Sequence, residues 1–165
     1  MTWTNNDGLK VKFGIEEATM AKAVSVPKMG DTEFEVRITL ADLTATAGGT
    51  VYDDVIIPDN FRIEEVEVFT ETAATSGGSA ALNVGLVRLD RTTEVDFNGL
   101  VEAQAITSHD ATGEKTVLRA PVSGTGVGDL VGTTITEPSY FAADYDTAAY
   151  TAGVVRIRVK GFFIS

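Results

Sequence analysis

Cysteine is absent from the 165-residue sequence, and histidine occurs once. Disulfides and thiolate metal sites are therefore excluded, and the redox compartment is left open. The opening residues MTWTNNDGLK contain no apolar segment of the kind that a secretory signal needs. No apolar run approaches the roughly 20 residues that cross a bilayer. These absences predict a chain that is made in a cytoplasm and has no membrane partner.

Motifs for catalysis are also scarce. His109 lies in SHDATGE, which is typical of an exposed loop, so we expect a solvated side chain rather than a general base. No GxSxG nucleophile elbow occurs, and the glycine-rich run GTGVGDLVG fits neither a dinucleotide-binding nor a phosphate-binding motif. The sequence therefore predicts no enzyme activity, no catalytic residue and no cofactor.

Acidic residues offer little to a metal ion. A loop that starts at Glu94 mimics the first positions of an EF-hand, but its twelfth position falls on Ala105, so the bidentate glutamate is missing. The segment VDFNG within it is better interpreted as a turn. A weak divalent site is the most that could form at two acidic pairs on predicted loops, Asp53 with Asp54 and Asp144 with Asp146. We expect no metal site.

The charge is mostly of one sign. The formal net charge is −11 and the sequence pI is about 4.4. Such a field repels phosphate backbones, so no nucleic-acid partner is expected. Residues 1–30 sum to +1, and the remainder carries −12. Either the acidic surface simply keeps the protein soluble, or the first segment is a separate arm that faces a different environment.

Alternating apolar residues predict a series of short strands. In the opening segment Leu9, Val11, Phe13 and Ile15 share one face. Stronger strands are predicted over FEVRITLADL, VYDDVIIP, NFRIEEVEVFTET and ALNVGLVRLD, and the last two are interpreted as a hairpin around the turn ATSGGSA. NGLVEAQAITS fits either a strand or a short helix.

The segment NFRIEEVEVFTET contains a break in phase. Ile63 is out of step with Val66 and Val68, which share a face. An extra residue in a strand produces such a break. We therefore predict a β-bulge or a strand start near Glu64.

The final run, AGVVRIRVKGFFIS, shows the clearest strand pattern and is predicted to be central or well paired in its sheet. Its inward residues, which we expect to be buried, are Val155, Ile157, Val159 and Phe163. Its outward residues are basic: Arg156, Arg158 and Lys160.

Seven to nine short strands with glycine-rich turns predict an all-β fold, an antiparallel β-sandwich (jelly-roll-like) with an N-terminal arm. Helical crossovers do not separate the strands, so a parallel sheet is disfavoured. The arm is predicted over residues 1–30 and the sandwich domain over residues 31–165.

An aromatic cluster lies just before the final strand, in SYFAADYDTAAY. Tyr140, Phe141, Tyr145 and Tyr150 either cap the core or form an oligomer interface, where tyrosine and phenylalanine are enriched. The two interpretations are equally compatible with the pattern.

Several stretches resemble the jelly-roll-like decoration (cement) proteins of tailed-phage capsids. IPDNFRIEEVEVFTETAATSGGSAALNVGLVRLD resembles their first hairpin, and FNGLVEAQAITS, GDLVGTTIT and TAGVVRIRVKGFF are similar to later parts of the same pattern. WTNNDGLKVKFGIEEA resembles the opening of some phage head proteins. The resemblance covers about two thirds of the chain and includes no catalytic motif.

The resemblance implies a viral structural protein that decorates the capsid exterior of the virion and stabilises the head. It implies a homotrimer whose partner is the major capsid protein. The arm and the loops at one end of the sandwich would contact the capsid protein, the arm through Trp3, Leu9, Lys10, Val11, Lys12 and Phe13.

Three other functions are compatible with a β-sandwich. A carbohydrate-binding module needs exposed aromatic platforms, for which only Trp3 and the tyrosine cluster qualify. A tail-fibre or head-fibre component cannot be separated from a decoration protein by sequence. A cupin or jelly-roll hydrolase is disfavoured, because one histidine cannot build a cupin metal site.

Overall fold

A computed structural model describes residues 32–119 and 126–164 in full, together with the backbone of two short strands near the N-terminus. The strands are β1 (Thr2–Thr4), β2 (Lys10–Lys12), β3 (Thr32–Thr39), β4 (Thr50–Ile57), β5 (Phe61–Ser76), β6 (Ala81–Arg88), β7 (Glu94–Ala105), β8 (Lys115–Arg119), β9 (Gly126–Val127), β10 (Ser139–Asp146) and β11 (Tyr150–Phe163). Single 3-10 turns follow β3 and β7, at Leu40–Asp42 and Ile106–Ser108. None of the helical turns in these ranges is long and apolar enough to cross a membrane.

Nine strands form two antiparallel sheets that pack face to face. One sheet has the order β3-β11-β5-β8 and the other the order β4-β10-β6-β7-β9. The inward residues of both sheets form one hydrophobic core. The predicted all-β antiparallel sandwich is therefore confirmed, whereas the predicted boundary between arm and sandwich lies outside the described residues.

The central position of β11 follows the prediction for the last strand. It pairs with β3 on one side and β5 on the other. Val155, Ile157 and Val159 have no solvent exposure, as expected. Phe163 does not follow the prediction of burial: its side chain is 50% exposed. It lies at the open end of the strand, where its ring packs against Phe61 at 5.4 Å between centroids and leaves the other side to solvent.

The predicted bulge in β5 is present. The pairing passes from Lys160 with Glu65 to Gly161 with Ile63, so Glu64 is the extra residue on the β5 side. Because the bulge shifts the phase by one residue, Ile63 and Val66 are both fully buried.

The predicted hairpin between β5 and β6 is wrong. β5 pairs with β11 and β8, whereas β6 pairs with β10 and β7 in the opposite sheet. The turn around Gly77 and Gly78 therefore carries the chain from one layer of the sandwich to the other. Alternation specifies which face of a strand is inward, but it does not specify the neighbouring strand.

The segment VDFNG, interpreted as a turn, belongs to β7 and lies against the outer side of its own sheet. A Cβ atom at Gly85 of β6 would stand 2.0 Å from the carbonyl oxygen of Asp96 and 2.3 Å from the carbonyl carbon of Phe97. The pairing of β6 with β7 shifts register repeatedly along this stretch. The outer side of the five-stranded sheet is thus covered in part by the chain itself.

Candidate functional site

The four aromatic residues predicted to form an oligomer interface separate into two pairs. Phe141 has no exposure and Tyr150 is 4% exposed, so both belong to the core of a single chain. Tyr140 and Tyr145 are half-buried. Tyr145 packs edge-on against Tyr150, and Arg91 lies 6.0 Å from the centre of the Tyr140 ring. Buried rings cannot reach a second subunit, so the interface stays a prediction for Tyr140 and Tyr145 only.

The predicted capsid-binding arm is described only in part. Trp3 pairs with Val11, and the flanking Thr2 and Thr4 pair with Lys12 and Lys10, which makes a two-stranded antiparallel sheet. The strand predicted around Val11 is therefore present over Lys10–Lys12. Leu9 and Phe13 lie outside the described residues, and the docking role of all six residues stays a prediction.

His109 is not the solvated loop residue that the sequence pattern indicated. Its side chain is fully buried, and its Nε2 shares a 2.8 Å hydrogen bond with the Tyr150 hydroxyl. Burial lowers the pKa of His109 to about 4, against a partial opposing effect from the charges of Glu114 and Asp110. The ring joins the end of β7 to the start of β11 and is neutral at pH 7.

Asp144 and Asp146 lie on β10 rather than on a loop. Asn83 of β6 donates from Nδ2 to one oxygen of each carboxylate, at 2.7 Å and 2.9 Å. The second oxygen of Asp144 accepts the Gly48 N–H at 2.6 Å, and the Asn83 carbonyl accepts the Ala103 N–H at 2.8 Å. These oxygens therefore accept hydrogen bonds from within the fold. Within residues 32–119 and 126–164, no three His, Asp or Glu side chains are close enough to hold a metal ion.

The most heavily charged surface of the described chain is the outer side of the four-stranded sheet, called the charged face below. Alternation places every second side chain of β3, β11, β5 and β8 on this side. Its basic residues are Arg37, Lys115, Arg119, Arg156, Arg158 and Lys160, and its acidic residues are Glu33, Glu35, Glu65, Glu67 and Glu71.

Strand register arranges the charged face in three rows across the sheet. The first row is Glu33, Lys160, Glu65 and Arg119, and the second is Glu35, Arg158, Glu67 and Val117. The third, called the cationic row below, is Arg37, Arg156, Phe69 and Lys115. Signs alternate along the first two rows, whereas the cationic row holds three cations and no carboxylate.

Ion pairs connect these rows across all four strands. Lys160 lies 3.0 Å from Glu65 and 3.3 Å from Glu67, and Lys115 lies 2.6 Å from Glu67. Arg158 reaches Glu35 at 2.9 Å. Two bonds lead from the cationic row to the next acidic side chain along β5: Arg37 contacts Glu71 at 2.7 Å, and Arg156 pairs with the same carboxylate.

The two signs differ in how far they stand out of the charged face. On β5, the side chains of Glu65 and Glu67 are 12% and 6% exposed. The cations at the two edges of the sheet are 57% exposed for Arg37, 50% for Lys115 and 65% for Arg119. Long basic side chains therefore lie over carboxylates that are close to the backbone. An approaching molecule meets mostly cations.

The pKa values agree with this layering. Burial alone would raise the pKa of Glu67, but hydrogen bonds from Lys115 and Lys160 outweigh it and lower the pKa. At Glu71 the hydrogen bond from Arg37 is the largest effect and lowers the pKa, against the smaller effect of burial. These carboxylates are ionised at neutral pH and hold the cations in place.

The charged face is an exception on an acidic body. It carries six basic and five acidic side chains, a net charge of +1. The remaining described residues carry three basic and fifteen acidic side chains, a net charge of −12. Those three basic residues each pair with one carboxylate: Arg62 with Glu64, Arg88 with Glu137 and Arg91 with Asp53.

An open cleft of about 340 Å³ lies on the charged face, around the cationic row. Lys115, Arg156 and Arg158 line it, Glu67 contributes one carboxylate and Phe69 an apolar wall. Guanidinium and ammonium groups around a small apolar surface are suited to carboxylate side chains. The cleft is therefore a place where a protein surface that carries carboxylates could bind.

The alternating pattern of β11 predicts that its basic residues point outward, but it does not predict this surface. Arg37, Lys115 and Arg119 lie far from β11 in the chain, and only the sheet order β3-β11-β5-β8 brings them beside it. The available signal was the charge that alternates with apolar residues on each of these strands. This alternation does not show which charged residues are neighbours, because that depends on the register between strands.

No known protein family and no curated protein matches the sequence. Among solved structures, two that come from phage capsids share the fold. A chain in the acidic stable capsid structure of Helicobacter pylori bacteriophage KHP30 superposes with a TM-score of 0.52 at 15% identity, over 82% of this chain and 90% of that chain. A chain in the capsid of Ralstonia phage GP4 gives 0.50 at 15% identity, over 85% and 90%. The resemblance to phage head proteins is thus confirmed as a resemblance of fold.

Proposed function

We propose that this chain is a structural protein of a phage head, without enzymatic activity, which binds the major capsid protein on the outside of the capsid as a decoration protein. The observation that carries the proposal is the shared fold. More than four fifths of the chain superposes on nine tenths of a chain in each of two phage capsid structures. A β-sandwich hosts many functions, so the surface must supply further support.

Three features of the described residues support a binding role. His109 is enclosed in the core and is inaccessible to a substrate. The oxygens of Asp144 are occupied by hydrogen bonds within the fold. The charged face is stabilised by ion pairs that link all four of its strands, which suits contact with another protein. The carbohydrate-binding alternative has less support, because Phe141 and Tyr150 are buried and cannot form an aromatic platform.

The proposed mechanism is additional contact area between neighbouring capsid subunits. A homotrimer links three capsid contacts, so that each weak contact raises the effective concentration of the other two. The arm at residues 1–30 adds a contact with a net charge of +1, in contrast to the acidic body. Opposite charge on the capsid surface would speed association and orient the subunit.

The experiment is a binding assay on phage heads that lack the protein. Purified chain is mixed with such heads, the heads are pelleted, and bound protein is measured. We expect saturable binding and a higher temperature of head disruption. A variant that lacks residues 1–16 should fold, as judged by circular dichroism, and bind weakly. A fully folded chain that neither binds nor stabilises heads would contradict the proposal.

A further inference from the structure

We propose that the cationic row docks against an acidic surface of a second copy of this chain, so that copies associate head to tail. The inference rests on the proposed function, which includes a homo-oligomer, and it names the surface through which the copies meet. It replaces the aromatic cluster as the main interface, because half of that cluster is buried in a single chain.

The cationic row has fewer carboxylates than its neighbours. Each of the other two rows contains two glutamates, whereas the cationic row contains none. The carboxylates that pair with it, Glu35, Glu67 and Glu71, are each shared between two or more cations. The side chains of Arg37 and Lys115 are at least half exposed, so both can form an ion pair with a further carboxylate on another molecule.

The complementary surface is an acidic cluster on β7 and the loop after β9, formed by Glu94, Asp96 and Asp129. The Leu130 N–H donates to the Gly99 carbonyl at 2.8 Å, which brings Asp129 beside the segment of β7 that carries Asp96 and Glu94. Burial raises the pKa of Asp96, against a backbone hydrogen bond from Asn98, and the charges of Asp129 and Glu94 add to the rise. Among the described residues, none of the three forms an ion pair with lysine or arginine. Glu94 and Asp129 are exposed.

Charge also decides the orientation of two copies. The body outside the charged face carries −12 and repels itself in most orientations. Repulsion is smallest, and becomes attraction, when the charged face of one copy meets the acidic cluster of another. The two surfaces are different, so the contact is heterologous, which is the kind of contact that closes into rings such as trimers. A long polyanion such as nucleic acid is a poorer fit, because beyond the cationic row it would meet the described body of net charge −12.

The first test reverses the charge of the exposed cations. The variant Arg37→Glu with Lys115→Glu is compared with Arg62→Glu with Arg88→Glu, which changes the net charge by the same amount outside the charged face. Circular dichroism and thermal melts establish that both fold. In sedimentation velocity we expect an oligomer for the wild type and the control, and a monomer for the first variant. The wild-type oligomer should weaken as the Debye length falls from about 10 Å in 0.1 M salt to about 3 Å in 1 M salt.

The second test distinguishes head-to-tail contact from other symmetry. The variant Glu94→Lys with Asp129→Lys keeps the cationic row and loses the acidic cluster, and it should also be monomeric. Mixed with Arg37→Glu/Lys115→Glu, it offers an intact cationic row to an intact acidic cluster, and the two reversed surfaces are again opposite in charge. We expect the mixture to associate, although each variant alone is a monomer.

Three results would overturn the inference. The first is a wild-type monomer under all of these conditions, and the second is an oligomer that survives charge reversal of the cationic row. The third is a mixture of the two variants that stays monomeric. If the Arg37→Glu/Lys115→Glu variant stays oligomeric but loses binding to heads, the charged face binds the capsid instead, and the proposed function stands. If a fluorescent single-stranded DNA binds the wild type and not this variant, the partner is a polyanion and the inference fails.

Discussion

The two sheets of this sandwich share a core, but their outer sides differ in what covers them. On the four-stranded sheet the outer side is open and carries the charged face, where cations lie over glutamates of β5. On the five-stranded sheet the chain covers itself: β7 lies so close to Gly85 that a methyl group would not fit. A surface that the chain covers for itself is part of the fold, whereas an open and charge-balanced surface is available to a partner. The difference points to the charged face as the surface on which to test binding of a partner.

Removing core side chains should have the largest effect and should be equal in both sheets. Ile157→Ala in β11 and Leu82→Ala in β6 remove fully buried side chains and should each cost about 2–5 kcal/mol of unfolding free energy. Val117→Ala on the charged face, where the residue is 40% exposed, should cost less than about 0.5 kcal/mol. Urea unfolding measures all three, and a small cost at Ile157 would show that the inward face is wrongly assigned.

As the pH falls, protonation should first destabilise the contact between His109 and Tyr150, which joins the two sheets. The ion pairs of the charged face should be affected only at lower pH. The pKa of His109 is lowered from 6.5 to about 4 in the folded chain. Between these pH values the unfolded chain therefore binds a proton that the folded chain does not bind. The neutral His109 therefore makes its full contribution to the unfolding free energy above pH 6.5. The unfolding free energy falls by about 3 kcal/mol as the pH drops to 4.

The pKa values of Glu65, Glu67 and Glu71 lie below 4.5 in the folded chain. Their contribution is present above pH 4.5 and is lost at lower pH, as each carboxylate is protonated. Urea unfolding of His109→Gln at a series of pH values should show no loss of unfolding free energy between pH 6.5 and 4.5, and the loss that comes from the glutamates should remain below pH 4.5. An unchanged profile would contradict the buried neutral histidine.

A methyl group under β7 should disturb only the covered sheet. In Gly85→Ala the new Cβ would stand 2.0 Å from the Asp96 carbonyl oxygen, so β7 must lift and the unfolding free energy should fall by about 1–3 kcal/mol. Gly77→Ala is the matched control, because a Cβ there has no atom within 4 Å. Equal stability of the two variants would mean that β7 does not lie against this side of the sheet.

Single changes on the charged face should have the smallest effects on stability. Glu67→Gln weakens bonds from Lys115 and Lys160 and should cost about 1 kcal/mol. Glu64→Gln breaks one exposed pair with Arg62 and should change stability by less than about 0.5 kcal/mol. Thermal melts in low and high salt measure both changes. A cost above that of Ile157→Ala would mean that the charged face holds the fold together.

Sequence patterns predicted those parts of the fold that depend on neighbours along the chain. The alternation in β3 and β11, the bulge at Glu64 and the inward Ile157 all follow from local periodicity. Properties set by distant strands were missed. Three such properties depend on contacts between residues far apart in sequence. They are the sheet to which β6 belongs, the burial of His109 against Tyr150 and the assembly of the cationic row.

Electron cryomicroscopy of the particles produced from the genome that encodes this chain tests the proposed function most directly. The account predicts that the sandwich lies on the outside of the head, in contact with the major capsid protein through residues 1–30 and repeated across the capsid lattice. Density for the chain confined to the tail, or inside the shell, or a particle that lacks it altogether, would contradict the proposed function.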